Sequence, residues 1–201
     1  MSDRSNFDIA ALKAGDRSEF ARLVEETSPK IYRLLLKMLG DEADAEDALQ
    51  DAYLKALRSL PNFEERSSLS TWLYRIAVNE ALMQIRKRKP QVALGEDSGE
   101  DAEDSPAPVE LADFCCLPEG ELMSGEGKRQ LNRAVQTLSP ALRAVFLLRD
   151  VEDLSVRETA EALGVSEQVV KTRLLRARLK LREELSAYWS ERVAAQKVEG
   201  D

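Results

Sequence analysis

Apolar residues in the N-terminal part of the chain recur every three or four positions, the spacing of a helix that buries one face. Asp16, followed by Glu19, predicts the start of a first helix with a capping box. Pro29 predicts a break before a second helix, which ends at Gly40. Pro61 ends a third helix, whose predicted buried face consists of Ala45, Ala48, Leu49, Ala52, Tyr53, Ala56, Leu57 and Leu60.

The polar segment 62–70 predicts a loop, and Ser68 or Ser70 is placed to cap a fourth helix. This helix ends in four consecutive cations, residues 86–89. Cations at the C-terminal end of a helix are stabilised by the negative end of its dipole, but four consecutive cations are more than this effect explains. A surface that faces phosphates is the alternative, and the residues alone leave both interpretations open.

The C-terminal part predicts four further helices, the first of them around 128–137, and the last two form a pair. Ser139 followed by Pro140 indicates one helix start, and Ser155 indicates the next. Gly164 provides a tight turn before Ser166, which caps a longer basic helix. Two such helices, the second one basic, are typical of a helix-turn-helix. The predicted buried stripe of the longer helix is Val170, Leu174, Ala177 and Leu181.

The composition excludes several kinds of catalytic site. The 201 residues include no histidine, which removes His-based triads and the usual zinc sites. Cys115 and Cys116 are adjacent, so they cannot form a disulfide framework, and we interpret them as two small residues of a linker. Gly127 and the lysine after it fail the phosphate-loop motif, because Leu122 and Arg129 replace its required Gly and Ser or Thr. We therefore expect neither an enzyme nor a bound cofactor or metal.

Apolar runs in the chain are short. None reaches the length of a signal peptide or a membrane helix. We therefore expect a cytoplasmic protein without membrane insertion.

The net charge of −8 is segregated along the chain. Residues 1–65 carry −5, 66–90 carry +5, 91–127 carry −11 and 128–201 carry +3. The acidic block is also rich in Pro and Gly and lacks periodic apolar residues, which favours a flexible linker. The sequence thus predicts an all-α protein of two small helical domains, 7–89 and 128–189, joined by an acidic linker at 90–127.

The last predicted helix carries a net charge of +5 between residues 166 and 182. Gln168, Lys171, Thr172 and Arg176 lie away from its buried stripe. Gln pairs with adenine and Arg or Lys with guanine in the major groove, while other cations meet phosphates. A merely soluble amphipathic helix is the alternative. The one-sided charge after a glycine turn favours DNA binding.

Three separated motifs, covering most of residues 10–188, resemble a bacterial RNA polymerase sigma factor of the extracytoplasmic-function group. The segment 44–57, DAEDALQDAYLKAL, resembles the family segment that grips the clamp helices of the polymerase. The segment 70–81, STWLYRIAVNEA, resembles the segment that recognises and melts the −10 element. The segment from Leu138 to Leu181 resembles the module that binds the −35 element.

The resemblance implies residues for each role. Polymerase docking would use Asp44, Asp47, Gln50 and Asp51. The −10 element would be bound by Asn62, Phe63, Arg66, Ser67, Ser68, Arg75, Asn79, Arg86 and Arg88. The −35 element would be bound by Ser166, Glu167, Gln168, Lys171, Thr172, Arg173, Arg176 and Arg178.

The resemblance also implies partners and a division of the chain. Its partners would be core RNA polymerase, through the clamp helices and the flap, promoter DNA, and an anti-sigma factor that responds to stress. The two domains would be sigma regions 2 and 4, and the acidic linker would enter the polymerase cleft. Gln168 and Val169 stand where the family commonly has Gly-Thr, at the start of the recognition helix, where the −35 sequence would be read.

Two other classes of protein remain as alternatives. A transcription regulator could dimerise through its N-terminal helices and bind an operator through its helix-turn-helix. The basic end of the fourth helix and the polar face of the third would have no role in such a dimer. A protein-interaction module with an incidental basic helix would show no dependence on DNA.

Overall fold

The computed structural model describes residues 7–88 and 125–198, and the regular elements in these ranges are helical. This confirms the predicted all-α class. Cys115, Cys116 and nearly all of the predicted linker lie outside the described residues. The N-terminal helices are α1 (Ile9–Lys13), α2 (Arg17–Leu39), α3 (Glu42–Ser59), a 3-10 turn (Leu60–Asn62) and α4 (Leu69–Arg88). The C-terminal helices are α5 (Gly125–Thr137), α6 (Pro140–Phe146), a π-helical turn (Leu147–Val151), α7 (Val156–Leu163) and α8 (Glu167–Val198).

Helix α2 runs through Pro29, so the predicted break at this residue is wrong. A proline inside a helix removes one backbone hydrogen bond and costs about 3 kcal/mol. The helix continues because the residues on both sides of Pro29 bury the same face. Each fully buried aliphatic side chain contributes roughly 1.5–3 kcal/mol, which together outweigh the proline. These side chains are Leu23, Ile31, Leu34, Leu35 and Met38.

The N-terminus of α2 is capped by Asp16, whose carboxylate accepts from the backbone N–H groups of Ser18 and Glu19. The hydroxyl of Ser18, which donates to the same carboxylate at 2.6 Å, and these backbone N–H groups lower the pKa of Asp16. The predicted capping box does not close. The Glu19 carboxylate instead accepts from the backbone N–H of Asp8, at 2.7 Å, and so ties α1 to α2.

Helix α3 lies against the other N-terminal helices through alanines. Ala45, Ala48, Ala52 and Ala56 are buried, and such small side chains allow close helix packing. Leu57, predicted to be buried, is 45% exposed, so this part of the prediction is wrong. Its position lies about 100° around the helix from the adjacent alanine, beyond the edge of the buried face.

The helix-turn-helix forms as predicted. Ser155 and Glu158 close a reciprocal capping box at the start of α7, and these bonds lower the pKa of Glu158. Gly164 ends α7 in the left-handed conformation, with φ of 65°. Ser166 then caps α8, accepting from the backbone N–H of Val169 at 3.3 Å. The four predicted core residues of α8, Val170, Leu174, Ala177 and Leu181, are all buried.

The N-terminal and C-terminal helices pack against each other, which the sequence pattern did not indicate. Helix α4 contacts α7, and α2 contacts α5 and α6. Buried apolar side chains from Leu12 to Ala81 and from Ala134 to Leu185 belong to one continuous cluster. A smaller cluster of Val145, Ala160, Val170 and Leu174 joins α6 to the two helices of the helix-turn-helix.

Candidate functional site

One face of α3 is exposed and acidic. It presents Asp47, Gln50 and Asp51, three of the four residues expected to dock polymerase. The same face carries Leu54, which is 50% exposed, and Leu57 lies at its edge. Sequence reasoning missed Leu54, although its place three residues after Asp51 puts both on one side of the helix. Exposed leucines beside carboxylates are suited to a partner that is basic and partly apolar.

Asp44, the fourth docking residue, lies on the same side of α3, one turn before Asp47, but it is less exposed than the other three. It is partly buried and forms an ion pair with Arg88 at the end of α4. The structure therefore joins a residue expected at the polymerase surface to one expected at the −10 DNA. A second ion pair between the same helices joins Lys55 to Glu80. Glu80 is 4% exposed and was not singled out from the sequence, although its spacing from Leu73 and Ala77 puts it on the buried face of α4.

Aromatic packing on its buried side supports the loop between the 3-10 turn and α4. Phe63 is only 5% exposed and packs against Trp72, with 5.1 Å between ring centroids. Ser68 accepts from the backbone N–H of Thr71 at 3.0 Å and caps α4. Asn62 and Arg66 are exposed, and Ser67 is half-buried. The structure thus exposes the rim of this loop and buries Phe63 as its support.

Ion pairs fix the outer part of the loop. Arg66 lies 2.7 Å from the carboxylate of Glu64. Glu65 has a φ of 57°, unusual for a residue with a side chain, and its carboxylate lies 2.7 Å from Lys13 of α1. The sequence analysis named neither Lys13 nor Glu65, because the two are 52 positions apart.

The exposed side of α4 continues from this loop. Arg75, Asn79 and Arg86 are exposed and lie on one line of the helix, since they are separated by multiples of its repeat. Arg88 is exposed at the end of the same helix. The four side chains extend along about 20 Å of helix, at 1.5 Å per residue. This gives the loop and α4 a continuous polar and basic surface.

The first turns of α8 present the residues expected to read DNA. Ser166, Glu167, Gln168 and Lys171 are exposed. Thr172 is half-buried, and its hydroxyl donates to the carbonyl of Gln168 at 3.0 Å. The N-terminal turns of a recognition helix are those that meet base edges in the major groove.

Further along α8, the basic side chains are partly covered. Arg173, Arg176 and Arg178 are of intermediate exposure. Arg178 makes a two-bond contact with Asp150 of the π-helical turn, at 2.9 and 2.7 Å. Hydrogen bonding to this carboxylate raises the pKa of Arg178. Asp150 was not found from the sequence, because its partner lies 28 positions away.

Two further observations concern only the described ranges, 7–88 and 125–198. No helix in them combines the length and apolarity needed to cross a membrane. No group of three or more His, Cys, Asp or Glu side chains in them is arranged to hold a metal ion.

The fold and its surfaces define a class of protein: a helical, two-part DNA-binding protein with a helix-turn-helix and a separate acidic face. Family models agree with this class. The model described as Sigma-70 region 2 matches residues 23–91, and the model described as Sigma-70, region 4 matches residues 128–181. Together they cover more than half of the chain.

Individual relatives give the same result. The chain is 35% identical over 178 residues to the ECF RNA polymerase sigma factor SigW of Bacillus subtilis, covering 88% of this chain and 94% of that one. It is 32% identical over 170 residues to the RNA polymerase sigma-H factor of Pseudomonas aeruginosa, covering 85% and 88% respectively. The fold is similar to the sigma factor RpoE of Bartonella quintana, solved with the anti-sigma factor NepR, with a TM-score of 0.61 and 24% identity over 84% of this chain and 97% of that one.

The chain therefore belongs to the sigma-70 family of RNA polymerase sigma factors, within the ECF group. Sigma factors are transcription initiation factors and not enzymes. They act by binding core RNA polymerase and promoter DNA. This assignment overturns both alternatives that the sequence left open, the dimeric operator-binding regulator and the interaction module.

Proposed function

We propose that this sigma factor uses three separate surfaces to bind core polymerase, the −10 element and the −35 element. The acidic face of α3, with Asp47, Gln50 and Asp51, docks on the clamp helices of core polymerase. The loop 62–68 and α4 bind the −10 element and stabilise its open strand. The first turns of α8 read the −35 element, and the C-terminal domain also docks on the polymerase flap. The two domains are 7–89 and 128–189, and the acidic segment 90–127 links them in the polymerase cleft.

The single observation that supports this division is the separation of acidic and basic surfaces. Clustered carboxylates on α3 repel the DNA backbone, so that surface suits a protein partner. The exposed residues of α4 and α8 are mostly polar or basic, as phosphate and base contacts require. Strand opening then needs no covalent reaction, because the contacts that the protein makes with a captured base offset the few kcal/mol that unstacking this base costs.

Run-off transcription with purified core polymerase tests the function. Genomic fragments transcribed only when the chain is added would identify its promoters and their −35 and −10 sequences. Absence of such transcripts, together with tight binding of the chain alone to duplex DNA, would contradict the proposed docking role.

Two pairs of variants test the division of surfaces. Asp51→Asn is expected to weaken binding to core polymerase, whereas Glu42→Gln, an exposed acid elsewhere on α3, should not. Arg176→Ala is expected to weaken holoenzyme binding to the −35 element, whereas Lys180→Ala, further along α8, should have a smaller effect. Equal effects of Asp51→Asn and Arg176→Ala on both kinds of binding would refute the division.

We also propose that the protein acts in the cytoplasm, where core polymerase and promoters are, under control of an anti-sigma factor. The support is the fold of the Bartonella quintana sigma factor, which was solved with such a partner. Affinity purification of the tagged chain from its host before and after stress tests this. The expected result is a co-purifying protein that suppresses run-off transcription when added back and is released by stress.

A further inference from the structure

Helix α1 lies beside the loop that is proposed to bind the −10 element. It contacts the 3-10 turn Leu60–Asn62, from which this loop begins. Lys13, the last residue of α1, reaches the middle of the loop, where its Nζ lies 2.7 Å from a carboxylate oxygen of Glu65. We call this ion pair the brace. It joins α1 to a residue that lies 52 positions later in the chain.

Helix α1 can support the loop because other contacts hold the helix in place. A helix of five residues is too short to be stable by itself. The side chain of Leu12 is buried in the main apolar core, and the backbone N–H of Asp8 donates to Glu19 of α2 at 2.7 Å. Lys13 therefore extends from an element whose position is fixed by α2.

The brace acts on the middle of the loop, between two anchors. Phe63 anchors one end by aromatic packing, and Ser68 anchors the other end by capping α4. In the described ranges, 7–88 and 125–198, the brace is the polar contact that ties residues 64–67 to another element, since the other ion pair of this segment stays within it. The shape of the middle of the loop therefore depends on the brace.

The backbone conformation of Glu65 points in the same direction. Its φ of 57° lies in the left-handed region, which is unfavourable for most residues with a Cβ but which glycine adopts freely. A loop that needed no more than a turn at this position would be more stable with glycine there. Glutamate adds strain to the loop, but its carboxylate makes the contact with Lys13. The side chain at position 65 therefore has a role beyond forming the turn.

We propose that Lys13 and Glu65 are positioning residues for recognition of the −10 element. Through the brace, α1 holds the loop 62–68 in the shape that receives an unstacked base, and neither residue contacts that base. This inference rests on the proposed −10 role of the loop. A loop that is ordered before binding loses less conformational entropy when it binds, so the brace raises the affinity for the captured base.

The fold itself is expected to persist without the brace. The side chains of Lys13 and Glu65 are 32% and 55% exposed, and ion pairs at such positions add little to the stability of a protein. Variants of these two residues therefore report on the shape of the loop and not on unfolding of the domain.

Binding of the holoenzyme to single-stranded DNA tests the proposal. The first probe is the fluorescently labelled non-template strand of a promoter identified by run-off transcription, and it spans the −10 element. The second probe is the same strand without one base of this element, the base whose removal weakens binding of the unchanged holoenzyme most. The ratio of the two affinities measures base capture. A variant that weakens phosphate contacts alone lowers both affinities and leaves this ratio unchanged.

Four variants break or restore the brace. Glu65→Gln is expected to lower the ratio about two- to fivefold, as the loss of one exposed ion pair allows. Glu65→Gly should also lower it, although glycine relieves the backbone strain. Glu65→Lys should lower it further, because a second cation then lies beside Lys13. The exchanged pair, Lys13→Glu with Glu65→Lys, should restore most of the ratio. Glu26→Gln is the matched control, since it removes an exposed ion pair with Arg22 on α2 and should leave the ratio unchanged.

An unchanged ratio in Glu65→Gln would overturn the proposal, and so would a ratio in Glu65→Gly at or above that of the unchanged protein. An exchanged pair no better than Glu65→Lys alone would also overturn it, because the two residues would then not act through each other. Asn62→Ala, at the rim of the loop, separates this failure from that of the proposed function. If Asn62→Ala leaves the ratio unchanged, the loop does not capture the base. If Asn62→Ala lowers the ratio while the variants of the brace do not, the role of the brace alone is wrong.

Discussion

Replacing Pro29 by alanine is expected to stabilise the protein. Pro29 is exposed in the middle of α2, so its ring contributes little packing. Alanine restores a backbone N–H that can donate to the carbonyl four residues earlier, and it removes the steric conflict there. An interior proline costs about 3 kcal/mol, but it also restricts the unfolded chain by about 1 kcal/mol. The net gain in the free energy of unfolding is therefore about 2 kcal/mol.

Urea unfolding, followed by helical circular dichroism, measures this gain. With a slope of roughly 2–3 kcal/mol per molar urea, the midpoint should rise by about 0.7–1 M. Pro140→Ala is the matched control, because Pro140 stands at the first position of α6, where its missing N–H has no helical partner. This control should be neutral or slightly destabilising. A Pro29→Ala midpoint equal to or below that of the unchanged chain would refute the reasoning that packing carries α2 through a costly proline.

Three further predictions concern the helix-turn-helix. Gly164→Ala should destabilise by about 1 kcal/mol in urea unfolding, because φ is 65° there while the space around a new Cβ is open. The capping box lowers the pKa of Glu158 below its usual value near 4.5, so the stability that it adds is present above pH 4.5 and is lost as the pH falls through the lowered pKa. The difference between the urea midpoints at pH 6 and pH 3 should therefore be smaller in Ser155→Ala than in the unchanged chain. Asp150→Asn should lower the free energy of unfolding by about 1 kcal/mol in urea unfolding, because it weakens the contact with Arg178. This loss should be smaller at high salt, where the ion pair is already screened.

The starts and ends of several helices could be predicted from the sequence. N-caps at Asp16, Ser155 and Ser166 and the left-handed ends at Gly40 and Gly164 stand where the sequence predicted them. These features depend on residues within four positions of each other, so periodicity and capping rules suffice to find them. The four buried positions of α8 follow for the same reason.

The sequence also determined the class of protein and the kind of surface on α3, α4 and α8, since helical period decides which side chains share a face. Tertiary structure decided the rest. Helix α2 crosses Pro29 because distant side chains cover its apolar face, and Phe63 is buried because Trp72 packs on it. Arg143 caps the end of α2 by donating to the carbonyl of Met38, a residue 105 positions away. No local pattern encodes such a contact, because the partner that stabilises it becomes a neighbour only when the whole chain has folded.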